Sequence, residues 1–485
     1  MADSSTSPAS RDGSTLRQLW VRRLLPAALL TCVAALYNRF PLTYPDSGNY
    51  LENAWAIVHW RAPWFFYRPL AYGAFLTPFG THQTIWLIPV AQGLVIAFVV
   101  DLTLRTAAVP LSTRGFLALF AGLSVFTSLS WFSGQIMPDV FTGVVILLCF
   151  VSVWGRALQT PAERWAVGAL LTLAIACHLS HFPLYGMLVA ATLIGRLLVD
   201  RASLDWRGHL PVVFAAVAPL VAAAGLVIGS NYYFHRTPVL SRSSSLFALA
   251  HLTGDGLAQR YLARVCPIRR YLLCSEPSSL RPDLDWFLWD SDGPWKRHEP
   301  EVQRGDSTFL REAPAIVAGT LRQEWPAAVR ASLEDMIVQL GTFGIHPGEL
   351  AFSGSVADAM GRLGPGTLRA YQASRQVQGS LPIEAVSQVQ YAAVGLGVVV
   401  LLGCWRGLRG RRLAPLRALI IVACLGLVLN ALVVASLAMV HPRYQSRVVW
   451  LVPLTAVVVA LHAARARRSA PDSPRSEDRG SMRPA

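Results

Sequence analysis

The chain has 485 residues, 53% of them hydrophobic and only 15% charged, with a mean hydropathy of +0.41. That is too apolar for ordinary soluble cores to hide, so apolar surface must face lipid, and a hydrocarbon layer about 30 Å thick takes roughly 20 apolar residues per helical span. The formal net charge of +15 does not point to nucleic acid, because the arginines gather at the ends of apolar runs instead of forming a basic face interleaved with aromatics.

In chain order, a polar tail at 1–17 comes first. The apolar run after it has no small-residue cleavage site, so it is expected to stay as a span and not to be removed as a signal peptide. Spans are predicted near 20–38, 84–104, 115–132, 138–155, 164–178, 182–199, 210–230, 386–405, 416–438 and 446–463. The expected fold class is therefore an all-α polytopic membrane protein with about ten transmembrane helices. Seven spans form an N-terminal membrane domain over 18–230, an insert occupies 231–385, and three spans form a C-terminal membrane domain over 386–463. The tails at 1–17 and 464–485 bury too little apolar surface to offset ordering entropy and are expected to be disordered.

Arginines set the orientation. Arg22 and Arg23, Arg105 and Arg114, Arg156 and Arg164, Arg201 and Arg207, the group Arg406, Arg409, Arg411, Arg412 and Arg417, and Arg465, Arg467 and Arg468 all fall in segments that alternate onto one side. By the positive-inside rule that side is the cytoplasm, with both termini on it. The opposite side receives a loop over 39–83, short turns near 133–137, 179–182 and 439–445, and the long insert, whose own arginines do not count in the rule. The single lysine, Lys296, among many arginines and alanines looks like the coding bias of a GC-rich bacterial genome, which makes a bacterial cytoplasmic membrane the expected location.

In the first outer loop, Tyr50 to Trp64 carries Leu51, Trp55 and Val58 with charged residues between, the pattern of an amphipathic helix lying at the interface. Within the insert, Pro277 to Gly305 is rich in Pro, Asp, Ser and Trp and reads as irregular. Thr308 to Leu340 has apolar positions at helical spacing and is expected to form two short helices broken at Pro326. Cys32, Cys149, Cys177, Cys404 and Cys424 fall in spans as small buried hydrophobes. Cys266 and Cys274 stand alone in the outer insert, where an oxidising compartment favours a disulfide.

Chemistry-bearing residues collect in the outer turns. The first loop reads Tyr44-Pro45-Asp46-Ser47-Gly48-Asn49-Tyr50, followed by Tyr67-Arg68-Pro69-Leu70-Ala71-Tyr72; a later turn reads Gly134-Gln135-Ile136-Met137-Pro138-Asp139, and a last one His441-Pro442-Arg443-Tyr444. An acid just outside the first span, an aromatic-rich helix and an Arg-Pro-Leu turn resemble the first loop of the GT-C class of polyprenyl-linked sugar transferases, which includes the lipid A aminoarabinose transferase, the protein O-mannosyltransferases and the oligosaccharyltransferase catalytic subunit. The second acid and the Arg-Tyr turn fit the same pattern, while the insert matches no established activity. The resemblance implies a GT-C-like fold and transfer of a sugar from a polyprenyl-phosphate donor to an envelope glycan, lipid or protein acceptor, in contact with membrane lipids and with no nucleic acid.

Such a transfer needs a base for the acceptor proton and cations for the leaving phosphate. Asp46 is the candidate base, or a ligand if a divalent ion such as Mg or Mn is used, and Asp139 a second candidate catalytic carboxylate, positioning the acceptor or standing behind the groups that touch substrate. Arg68 and Arg443, with Tyr50, Tyr72, His441 and Tyr444, are candidate substrate contacts, since the guanidinium fork matches phosphate geometry. Each has a plain alternative: Asp46 as a helix cap, Asp139 as an acid suited to a helix start, Arg68 snorkelling to headgroups. His178 and His181, three apart at an outer helix end, have the spacing of two metal ligands, with no third ligand evident nearby. A second reading is a non-enzymatic membrane protein, either a transporter or flippase of lipid-linked glycans or an assembly factor; a third is a relative that binds glycan without turnover. Transporters commonly carry ionisable groups or broken helices near the midplane, whereas these spans are nearly free of them; Asp101 sits near one end with Arg105 four residues on.

Overall fold

The computed structural model describes residues 18–61, 68–80, 84–199, 206–275, 280–303, 307–346, 350, 352–408, 410 and 413–468. Among these residues the secondary structure is helical, with no strand and one isolated parallel bridge between Leu42 and Gln135. The first run, Trp20 to Asn38, begins as a π-turn and continues as α1 (Leu25–Leu30) and α2 (Val33–Asn38). The segment after it carries α3 (Ser47–Val58) and α4 (Leu70–Gly80), which pack on each other. Then follow α5 (Leu87–Thr106), α6 (Thr113–Phe126), α7 (Leu129–Ser133), α8 (Val140–Trp154), α9 (Pro161–Ala176), α10 (His181–Val199) and α11 (Trp206–His235).

The insert contributes α12 (Ser244–Gly254), α13 (Leu257–Val265), α14 (Leu284–Trp289), α15 (Pro294–Gln303), α16 (Thr308–Gly341), α17 (Gly354–Leu363) and α18 (Pro365–Gln372). The chain closes with α19 (Ile383–Trp405), α20 (Ala414–Leu437), α21 (Pro442–Val449) and α22 (Leu451–Arg468).

Among the described residues, six helical segments are long and apolar enough to cross a membrane: Leu87–Thr106, His181–Val199, Gly208–His235, Ile383–Trp405, Ala414–Leu437 and Pro442–Arg467. Shorter apolar helices cover Leu70–Phe79, Thr113–Phe126 and Val140–Trp154. Each region expected to span is helical, but several of the helices are shorter than a bilayer requires.

Helix α8 explains one of the short cases. Every residue from Val140 to Val153 is buried, enclosed by α5, α9, α10, α11, α20 and α21. A helix apolar on all sides is a core helix, and this one faces protein instead of lipid. Close approach is built in at two glycines: a Cβ at Gly143 would sit 2.7 Å from the Trp450 ring, and one at Gly426 2.8 Å from Ile146.

On the arginine-rich side an ionic chain ties three helices. Asp101 pairs with Arg23 at 2.8 Å and with Arg105 at 3.1 Å, and Arg105 reaches Glu163 at 2.7 Å. Glu163 also closes a capping box with Thr160, with Pro161 at the first helical position, which fixes where α9 begins.

The insert has its own core, in which Leu249, Tyr261, Phe287, Trp295, Phe309 and Ile316 are buried together. The disulfide between Cys266 and Cys274 is present, with Cα atoms 5.4 Å apart. Two expectations for this region are corrected. Thr308–Gly341 is one continuous helix with Pro314 and Pro326 inside it, held by packing along α12, α13 and α20; the cost of each missing hydrogen bond is outweighed by that support. The described part of 277–305 is also not irregular: Asp283 caps α14 by accepting from the Trp286 backbone N–H, and α15 follows.

Helix α3 is shorter than expected, ending at Val58, and it buries Tyr50, Leu51, Asn53, Ala54 and Ala56 against α4 and α17 while Val58 and Trp60 stay exposed. Trp64 lies outside the described residues, as do the tail residues 1–17 and 469–485 and the arginines Arg201, Arg409, Arg411 and Arg412. The C-terminal helix runs through Arg468, five residues into the segment expected to be disordered.

Candidate functional site

Two carboxylates stand at helix starts and neither caps its helix. Asp46 precedes α3 and Asp139 precedes α8, each in helical backbone with no side-chain cap hydrogen bond. The capping alternative for Asp46 therefore fails: its carboxylate instead accepts from the Arg68 guanidinium at 2.6 Å, both side chains being about one-sixth exposed (16% and 17%). The same contact removes the snorkelling alternative for Arg68.

Asp139 is enclosed completely. Arg443 forms a two-pronged pair with it, Nε to Oδ1 at 3.2 Å and Nη2 to Oδ2 at 2.7 Å, and Arg447 adds Nη1 to Oδ1 at 3.4 Å. This is the bidentate geometry that makes guanidinium–carboxylate pairs strong and directional. Arg447 also donates to Asn430 Oδ1 at 2.8 Å, and Asn430 in turn donates to the Tyr444 carbonyl at 2.7 Å, so α20 fixes α21.

The two pairs share one neighbourhood. The Arg443 guanidinium lies 3.9 Å from the centre of the Tyr44 ring, two residues before Asp46, a cation–π contact. The Tyr50 hydroxyl is within electrostatic reach of Arg68, Asp46, Asp139 and Arg443 alike, and burial pushes it well above its ordinary range, so it stays a neutral donor. Burial works against the Arg68 charge, but the Asp46 carboxylate outweighs it and holds the guanidinium protonated more firmly than usual. Among the described residues, three guanidiniums thus face two carboxylates, a surplus of one positive charge. The Nε of Arg68 is buried and has no hydrogen-bond partner among the described residues.

The supporting frame is made of backbone and amide contacts. Ser47 Oγ donates to the Ile136 carbonyl at 2.8 Å, and Leu42 exchanges 2.9 Å backbone bonds with Gly134 and Ile136, tying the Asp46 loop to the Asp139 turn. Gly48 is required by a close approach: a Cβ there would sit 2.5 Å from the Ser355 carbonyl of the insert. Gln376, also from the insert, is buried and bonds Thr43 and Asn38 through its side chain and backbone. On the other turn, Gln339 pairs with both backbone groups of His441, and Ser446 bonds both backbone groups of Gly344.

The remaining candidates fall as follows. Tyr72 is fully buried, its hydroxyl committed to Gln92 Oε1 at 2.8 Å and its ring edge-on to Tyr50, which makes it a wall behind the site instead of a substrate contact. His441 and Tyr444 are half-buried, their rings 5.8 Å apart, and Tyr444 faces the Arg447 guanidinium at 5.4 Å. Tyr67 lies outside the described residues.

His181 is corrected as a metal candidate: its ring nitrogens are engaged by the Ala174 carbonyl at 2.7 Å and Thr142 Oγ1 at 2.9 Å, leaving no lone pair for an ion. His178, just past the end of α9, bonds Ser180 Oγ, and burial together with the Arg447 charge lowers its proton affinity well below the usual imidazole range.

Among the described residues no cluster of three or more His, Cys, Asp or Glu side chains could hold a metal ion. Asp46 and Asp139 are each matched to guanidiniums, a donor set that suits an anion and not a divalent cation. The residues present do not fit a bound Mg or Mn.

Arg447, Asn430, Gln92 and Gln376 were not among the candidates from sequence. A signal existed for the first: Arg443 and Arg447 are four apart, one turn of a helix, so both guanidiniums project from the same face of α21. Four cavities of about 190 to 840 Å³ lined by described residues lie elsewhere and include none of Asp46, Arg68, Asp139 or Arg443; residues 62–67, next to Arg68, are outside the described set. No family model, no curated protein and no solved structure matches the chain.

Proposed function

We propose that the chain is a GT-C-like membrane glycosyltransferase that moves a sugar from a polyprenyl-phosphate donor to an envelope acceptor on the outer face of a bacterial cytoplasmic membrane. In this reading the helical regions make about ten spans, both termini are cytoplasmic, and the insert over 231–385 lies outside. The observation that carries it is the pairing of Asp46 with Arg68 beside the Asp139–Arg443–Arg447 group, with a surplus positive charge and an unpartnered Arg68 Nε.

An anionic donor supplies what that arrangement lacks. A phosphate oxygen taking over the Arg68 fork releases the Asp46 carboxylate, which then accepts the proton of the acceptor hydroxyl as its oxygen bonds to the anomeric carbon. The bond between that carbon and the phosphate oxygen breaks, its electron pair stays on the phosphate, and Arg68 balances the charge that builds there. Asp139, wholly enclosed, does not exchange a proton with substrate; it holds Arg443 and Arg447 in place. Tyr50 offers a neutral hydroxyl to the sugar or phosphate.

The test is Asp46→Asn in the native host, with protein level matched to the parent. The expected result is an envelope-glycan profile equal to that of the full deletion, and the same from Arg68→Gln. A profile equal to the parent from Asp46→Asn removes the catalytic base and leaves the carrier or glycan-binding readings.

A further inference from the structure

We propose that the arginine-rich face holds a site for one anionic phospholipid, built by Arg156 and Arg164 over an apolar slot between α9 and α11. A cavity of about 590 Å³ opens there, lined by both arginines together with Gln159, Trp165, Phe214 and Ala218. Neither guanidinium has a carboxylate partner among the described residues; Glu163, next to Arg164, is already held by Arg105. The two cations act on each other: burial and the Arg164 charge both weaken the hold of Arg156 on its proton. An anion placed between them relieves that repulsion.

The slot beneath says which anion. Its walls come from helices expected at membrane depth, α11 carries one of the six membrane-length segments, and Phe214 is 71% exposed at the rim. Trp165, 82% exposed one residue from Arg164, takes the position of an interfacial tryptophan at headgroup depth. A free phosphate would use the arginines and leave the slot empty, whereas a phosphate diester carrying acyl chains satisfies both parts. Basic pockets between helices on a cytoplasmic face bind such headgroups, with about 1 kcal/mol per arginine. The site stands on the other side of the membrane from the candidate transfer site and does not depend on the transferase reading.

The experiment uses the full chain in a neutral detergent, titrated with phosphatidylglycerol or phosphatidylcholine, with bound lipid counted by native mass spectrometry. One phosphatidylglycerol is expected to remain bound where phosphatidylcholine does not. The Arg156→Gln/Arg164→Gln variant should weaken it about 30-fold, and Ala218→Phe, which fills the slot and keeps both charges, should weaken it as well. Arg114→Gln, an exposed arginine on the same side, should leave it unchanged. Equal losses in the Arg114 control and the double variant would reduce the site to general surface attraction and overturn it. Displacement of the lipid by millimolar inorganic phosphate, or full binding to the Ala218→Phe variant, would also overturn it. Should the double variant fail to fold, the Ala218→Phe result alone decides.

Discussion

Replacing Asp139 by Asn keeps the shape of the side chain and removes its charge, which leaves the Arg443 and Arg447 guanidiniums buried without a counter-ion. The three side chains are 0%, 6% and 0% exposed, so solvent screens little of the loss. Breaking a buried pair by removing one partner costs about 3–5 kcal/mol, because the orphaned charge cannot recover its hydration. The Asp46–Arg68 pair is about one-sixth exposed, so Asp46→Asn should cost no more than about 1–2 kcal/mol. The assay is unfolding of the purified chain in detergent, followed by tryptophan fluorescence, with both variants against the parent. Adding Arg447→Met to Asp139→Asn removes one orphan and should return about 1–3 kcal/mol as coupling. An Asp139→Asn variant within about 0.5 kcal/mol of the parent, or a strictly additive double variant, would refute the enclosed-ion account and free Asp139 for a role in chemistry.

Two further outcomes follow from the geometry. Changing Cys266 and Cys274 to Ser opens a loop of eight residues' separation and should destabilise the insert by about 2–3 kcal/mol, read as faster limited proteolysis of 231–385; equal proteolysis with and without reductant in the parent would mean that the bridge does not form. His178 binds its proton less readily folded than unfolded, so below an ordinary imidazole pKa of about 6.5 the unfolded chain takes up the extra proton and stability falls as pH drops. His178→Gln should flatten that part of the stability profile between pH 7 and 5; an unchanged slope places the titration elsewhere.

Much of the helical architecture was legible because apolar runs of membrane length leave few alternatives, and arginines at their ends mark one side. What composition could not distinguish was lipid-facing from protein-facing. Val140 to Val153 reads as a span by hydropathy, yet it is the enclosed centre of the fold, a distinction that depends on six neighbouring helices scattered along the chain. Pro326 misleads for a related reason: the local cost of a lost hydrogen bond is visible in sequence, while the packing of α16 against α20 that outweighs it is not.

The site divides along the same line. Asp46, Arg68, Asp139 and Arg443 stood out as charges in otherwise apolar turns, but their pairing did not, since Asp139 and Arg443 are 304 residues apart. The members most easily missed are the uncharged ones that fix the turns. Gln376 holds Asn38 and Thr43 ahead of Asp46, Ser355 crosses Gly48, Gln339 grips His441, and Gly344 locks onto Ser446 between Arg443 and Arg447. All of these come from the insert, the segment with no recognisable motif. These contacts land on backbone, amide or hydroxyl groups beside the charged residues, so their work is positional: they brace the segments that carry Asp46 and Arg443. A frame of that kind needs shape and hydrogen-bonding capacity at a few points and little else, which is why such a stretch can be long, plain in sequence and still set the geometry of the charges it never touches.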